Sequence, residues 1–180
     1  MPHIDLPEGL PGITSLFAYR PETAAALRGL ADALLVADGP LPRGDRELIA
    51  AYVSSRNDCE FCCTSHSSFA AAQLDGGHDL VAQVKADPST APISPKLRAL
   101  LAIAGKVQQS GLDVQADDIA AARTEGATDV EIHDTVLIAA AFCMFNRYVD
   151  GLATWSPTDD PRAFDERAQV IVEHGYSFAG

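Results

Sequence analysis

Apolar positions along the chain recur with the three-and-four spacing of helices, and no stretch alternates convincingly as a strand does. The pattern predicts a first helix over residues 21–36, opened by Pro21 at its first position and rich in Ala and Leu. A helical run over residues 46–56 breaks at Asn57-Asp58. A second starts at Cys59 and stops at Gly76-Gly77, a pair that ends helices. Residues 79–86 form a short helix, and Ser94-Pro95 starts one through Gln109, with Leu97, Leu100, Leu101 and Ala104 on a single buried face. Residues 117–125 make another. The longest, residues 128–154, opens on Thr128 and Glu131 spaced as a capping box and is apolar nearly all round from Val136 to Phe145, which suits a central helix or one buried between subunits. A last amphipathic helix covers residues 161–174 and ends at Gly175. The expected fold class is all-α.

The ends read differently. Pro2, Pro7 and Pro11 punctuate residues 1–20, which are expected to form an irregular arm of the kind that wraps a neighbouring subunit. Residues 156–180 are a C-terminal helical extension. The whole of 1–180 is read as one domain.

Composition narrows the function. The chain has 180 residues, 47% hydrophobic and 21% charged, enough for a real core and too apolar for disorder. Thirteen basic residues against 25 acidic ones give a net charge of −12 with no basic cluster, which argues against nucleic acid and anionic membranes as partners. No apolar run spans a bilayer and the first residues lack a signal-peptide pattern, so a cytoplasmic location is expected. In such a reducing compartment, a C-x-x-C among four cysteines is more often redox-active or metal-binding than structural.

The candidate chemistry lies in GDRELIAAYVSSRNDCEFCCTSHSSF, residues 44–69. Asn57 and Glu60 fit a capping box, which puts Cys59 in the first turn of a helix and Cys62 just after it, where the dipole and free N–H groups favour a thiolate. His66, four residues beyond Cys62, shares that face and can take or relay the proton. If the helices on either side of Asn57-Asp58 are antiparallel, Glu47 and His66 lie about 16 and 12 Å from the turn at about 1.5 Å per residue. They are then level, and the carboxylate can orient the imidazole. Zinc held by Cys59, Cys62 and His66 with Cys63 or Glu47 is a weaker reading, because no second C-x-x-C or H-x-x-H occurs. Cys63 is expected to pack inward and Cys143 to be a core residue. Asp45, Glu47 and Cys59 are echoed by Asp129, Glu131 and Cys143, but Asn146 and Asp150 stand where Cys62 and His66 would be.

Glu47, twelve residues before Cys59, together with C-x-x-C and a His four beyond, resembles the signature of the alkylhydroperoxidase D (AhpD) and carboxymuconolactone decarboxylase superfamily, in particular its peroxidase-related members. The segments PGITSLFAYRPETAAAL and GATDVEIHDTVLIAAAFCMFNRYVDGL resemble the family's flanking helices, so the likeness reaches about Thr154. It implies an AhpD-like helical bundle around a hairpin carrying E-x11-C-x-x-C-x3-H. It further implies a thiol peroxidase in which Glu47 and His66 take the Cys62 proton, Cys62 attacks the peroxide and Cys59 closes a disulfide. An external dithiol, lipoyl or thioredoxin-like, restores the thiols, with no metal or other cofactor needed. The resemblance also implies a homo-oligomer, trimer or hexamer. The alternatives are a general dithiol–disulfide oxidoreductase or a redox sensor without peroxide turnover, and, further off, a lactone decarboxylase.

Overall fold

The structure, a computed structural model, describes residues 1–157, 160 and 162–178. These form helices joined by short turns, with no strand among the described residues. The first is α1 (Gly12–Tyr19), within the stretch expected to be an irregular arm. It has no side-chain cap; packing makes it. Gly12 adopts φ +51, and a Cβ there would fall 2.2 Å from the Phe61 ring, so only glycine lets the chain cross that ring. The arm folds onto its own subunit, since Gly12 N–H donates to Trp155 O (2.9 Å) and His3 N–H to Leu152 O (3.0 Å).

Helix α2 (Pro21–Ala31) runs on into a π-helical turn at Asp32–Val36, matching the expected span. Then come α3 (Arg43–Arg56) and α4 (Glu60–Ala71), an antiparallel hairpin closed by Asn57-Asp58, with Asp58 at φ +55. Asn57 does not cap α4, contrary to the sequence reading. Its side chain donates to Asn146 Oδ1 (2.8 Å) and accepts from Gln108 Nε2 (2.8 Å), tertiary partners that outcompete a local cap. Cys59 is the N-cap instead.

The remaining helices are α5 (Gly77–Ala86), α6 (Pro95–Gln109), α7 (Ala116–Thr124), α8 (Asp129–Gly151) and α9 (Asp165–Phe178), with a 3₁₀ turn at Gly111–Asp113. Local signals hold at α6, where Ser94 Oγ accepts from Leu97 N–H (3.1 Å), and at α8, where Thr128 and Glu131 form the reciprocal box. The predicted start of the last helix at Pro161 lies outside the described residues, and the helix is observed from Asp165.

Helix α3 is the axis of the molecule. Every residue from Arg46 to Ser54 is buried, between α4, α6 and α8. The buried Arg46 donates from Nη1 to Leu34 O (3.1 Å) and Ala37 O (2.8 Å) at the end of the π turn, while its Nε has no partner among the described residues. Helix α8, expected to be enclosed from Val136 to Phe145, keeps one open face: Val130, Leu137 and Met144, seven residues apart, are exposed. A second, smaller apolar cluster joins Cys59, Cys62, Phe61 and Phe69 to Val149 of α8 and to Phe164, Ala168 and Ile171.

Candidate functional site

Within the hairpin, the helical rise brings Glu47 of α3 level with His66 of α4. Glu47 Oε2 meets His66 Nδ1 at 2.7 Å, with Glu47 buried and His66 half-buried. Three rings fix the imidazole: Phe142 edge-on at 4.5 Å, Phe69 edge-on at 5.2 Å and Tyr176 stacked at 6.0 Å. Nδ1 is committed to Glu47, so Nε2 is the nitrogen able to exchange a proton with a group beside α4.

The second carboxylate oxygen is occupied by a residue that sequence reasoning missed. Tyr176 Oη donates to Glu47 Oε1 at 2.6 Å and lies 3.4 Å from His66 Nδ1. Burial first, and then the Glu47 charge, hold the phenol far above its ordinary value, so it stays a proton donor to the carboxylate. A break in α9 delivers this ring. Gly175 takes φ +77 and ψ −175, and Asp32 of the π turn accepts from Tyr176 N–H (2.6 Å), Ser177 N–H (3.0 Å) and Ser177 Oγ. Arg43 donates to Val172 O (3.1 Å) and Ile171 O (3.3 Å), covering the carbonyl end before the break. Nothing at Tyr176 in the sequence marks it, because its partners are more than a hundred residues away.

The cysteines differ in depth. Cys59 is fully buried at the N-cap, and Cys62 sits in the first turn, its backbone N–H donating to the Cys59 sulfur. The Cys62 sulfur, hydrogen-bonded to Cys59, and then burial push the Cys59 thiol far above its ordinary value. Asp150 near the end of α8 also hydrogen-bonds that thiol, and partial desolvation raises the Asp150 carboxyl. Asp150 is the second residue missed; the echo in α8 had drawn attention to the position without giving it a partner.

Cys62 and His66 face a cavity of about 710 Å³ that Cys59 does not reach. Phe17, Phe61, Phe69, Phe142, Phe145 and Phe164 line it, and Tyr176 lines it near the imidazole. Cys63 points away, 3.5 Å from Lys85 Nζ, and Cys143 lies in the main core near Asn57. Among the described residues, no group of three or more His, Cys, Asp and Glu side chains is arranged to hold a metal ion, and no helix is long and apolar enough to cross a membrane.

The arrangement is that of a buried dithiol with one sulfur at a cavity wall and an oriented acid–base pair one turn along. The family model described as Carboxymuconolactone decarboxylase family matches residues 21–76, which include all four sequence-selected residues. No curated protein matches the chain. Among solved structures, the chain is similar to the alkylhydroperoxidase AhpD core of an uncharacterized peroxidase-related protein from Ralstonia eutropha. The two are 30% identical with a TM-score of 0.76, over 84% of this chain and 79% of that one. It is also similar to an uncharacterized peroxidase-related protein from a Silicibacter species, at 26% identity and a TM-score of 0.74, over 81% and 75% of the two chains. With that identity and coverage, the all-α bundle belongs to the AhpD-like, carboxymuconolactone decarboxylase superfamily.

Proposed function

We propose that the protein is a thiol-dependent peroxidase of the alkyl hydroperoxide reductase type. The observation that carries this reading is the division of the cysteine pair: Cys62 opens on an apolar cavity beside His66, while Cys59 waits, protonated and hydrogen-bonded, behind it.

In this mechanism His66 takes the Cys62 proton at Nε2, and Glu47, held by Tyr176, stabilises the imidazolium. The thiolate attacks the outer peroxide oxygen, the O–O bond breaks, and the alkoxide leaves as an alcohol with the proton returned by His66. Cys62 is then a sulfenic acid. Cys59 attacks its sulfur and the S–O bond breaks; the Cys59 proton, taken up by Asp150, passes to the departing hydroxide, which leaves as water. An external dithiol, lipoyl or thioredoxin-like, reduces the Cys59–Cys62 disulfide by exchange and is itself oxidised. No metal or other cofactor enters these steps. Subunits are taken to associate, with the exposed strip of Val130, Leu137 and Met144 available for a second copy, and sedimentation reads the number.

The test is a thiol count and peptide mass spectrometry after one equivalent of cumene hydroperoxide. Loss of two thiols, a Cys59–Cys62 linked peptide and its reversal by dithiothreitol are expected. Cys62→Ser is expected to abolish the reaction and Cys59→Ser to accumulate sulfenate. Full turnover by Cys62→Ser would sink the proposal. Rapid reduction of model disulfides with hydroperoxide left untouched would replace it by a dithiol oxidoreductase, and a single oxidation that changes assembly would replace it by a sensor.

A further inference from the structure

Phe61 stands between the two cysteines in sequence and against two walls of the cavity in space. Its buried ring lies directly under the start of α1, where a Cβ on Gly12 would fall 2.2 Å from it. It also meets Phe164, the residue just before α9, edge-on at 5.3 Å. Helix α1 depends on this contact. It has no side-chain cap, and at its first residue the Gly12 N–H ties it to the Trp155 carbonyl. Ile13, Thr14 and Phe17 of α1 form part of the cavity wall, so a shift of this helix changes access to Cys62, which is 3% exposed. A disulfide demands a specific placement of both Cβ atoms. Cys59 is fully buried and its sulfur accepts the Cys62 N–H, which locks the side chain of one cysteine to the main chain of the other. Drawing the two sulfurs into a bond therefore draws the turn of residues 59–62, and Phe61 with it.

We propose that α1 is a lid governed by the redox state of the cysteine pair, with Phe61 as the coupling residue: closed over Cys62 while the thiols are reduced, and released when Cys59 and Cys62 join. A close-packed ring cannot shift without moving one of its partners. Helix α1, eight residues long and uncapped, has the least to hold it, because a helix that short persists only through its packing. The two halves of the catalytic cycle then meet different cavities. The reduced form encloses a small peroxide beside Cys62 and His66. The disulfide form opens the wall for the larger external dithiol, which must reach the Cys62 sulfur because Cys59 does not line the cavity. This device regulates the site proposed above and rests on its cysteine pair, but not on peroxide as the oxidant.

The experiment separates the two. Full-length protein is compared in its reduced form and after diamide, which takes two protons and two electrons from the thiols as the S–S bond forms and is itself reduced to the hydrazine. Peptide mass spectrometry verifies the Cys59–Cys62 link, and hydrogen exchange is followed in both forms. Amides of residues 12–19 are expected to exchange at least about tenfold faster in the linked form, while those of α7, packed on α6, are unchanged. Trp155, the one tryptophan of the chain, is expected to become more accessible to acrylamide in parallel. Cys59→Ser given the same treatment shows neither change. In linked Phe61→Ala, exchange over residues 12–19 is expected to match that of its own reduced form. Equal exchange over residues 12–19 in reduced and linked wild type overturns the proposal without any variant, as do acceleration in treated Cys59→Ser and full acceleration in linked Phe61→Ala. Release of α1 on linking, with cumene hydroperoxide left unconsumed, would refute the peroxidase reading and leave the lid standing. Hydroperoxide turnover through a linked pair with α1 unmoved would do the reverse.

Discussion

Glu47 is a buried carboxylate with each oxygen matched to one donor, His66 Nδ1 and Tyr176 Oη, and such a group tolerates the loss of neither. Tyr176→Phe keeps the ring against His66 and removes only the hydroxyl. It is expected to cost about 1–3 kcal/mol, because one carboxylate oxygen is left dry and unpaired. At about 2–4 °C per kcal/mol for a chain of this size, thermal melting resolves that. An unchanged melting temperature would mean that water replaces the phenol. Cys59 gives a pH signature. Its folded value is raised, so below its ordinary value near 9.0 both states keep the proton and stability is unaffected. Above it the unfolded chain releases a proton that the folded one retains, and stability falls as pH rises, by up to about 1.4 kcal/mol per unit. Tyr176, raised as well, adds to the loss above its ordinary value of 10.0. Melting of the reduced protein from pH 8 to 10.5 is expected to decline less steeply in Cys59→Ala than in the wild type. Parallel curves would show that the buried thiol does not titrate late.

At the scale of elements, the break in α9 is what turns a terminal helix into part of the site. The Gly175 backbone lies in a region almost closed to other residues, and a Cβ there would come 2.8 Å from Asp32 Oδ1, the acceptor of the Tyr176 N–H. Gly175→Ala is therefore expected to cost about 1–3 kcal/mol and to release Tyr176 from Glu47. Iodoacetamide should then alkylate Cys62 faster, and an unaltered rate would show that the tyrosine does not shield it. The same elements explain what the sequence could reveal. The Thr128–Glu131 box, the Ser94 cap and the level of Glu47 with His66 follow from spacing along one or two adjacent helices, and the spacing is enough. Helix α1 has no cap and exists because Gly12 crosses Phe61 and Leu16 is buried. Asn57 has its side chain taken by Asn146 and Gln108. Tyr176 and Asp150 reach the site only through packing of α9 and α8. Local pattern is silent wherever a distant partner decides.

Over the whole molecule, the four sequence-selected residues straddle two apolar clusters of unequal size. The larger holds Leu48, Ile49 and Val53 of α3, Leu100 and Leu101 of α6, and Ile138, Phe142 and Cys143 of α8. The smaller holds Cys59 and Cys62 and depends on Phe164, Ala168 and Ile171 at the end of the chain. Regions with few buried apolar contacts open at lower free energy than the global transition, and α9 meets that description. Detaching it would uncover the cysteine pair while leaving the α3, α6 and α8 core intact. Cys143 is an internal reference because it belongs to the larger cluster. Alkylation of the reduced protein in increasing urea, mapped by peptide mass spectrometry, is expected to label Cys59, which the cavity does not reach, at denaturant concentrations below those that label Cys143. The denaturant dependence should also be shallower for Cys59, because a partial opening exposes less surface. A single shared midpoint for Cys59 and Cys143 would show that α9 unfolds only with the core, and that the buried thiol is guarded by the full stability of the fold.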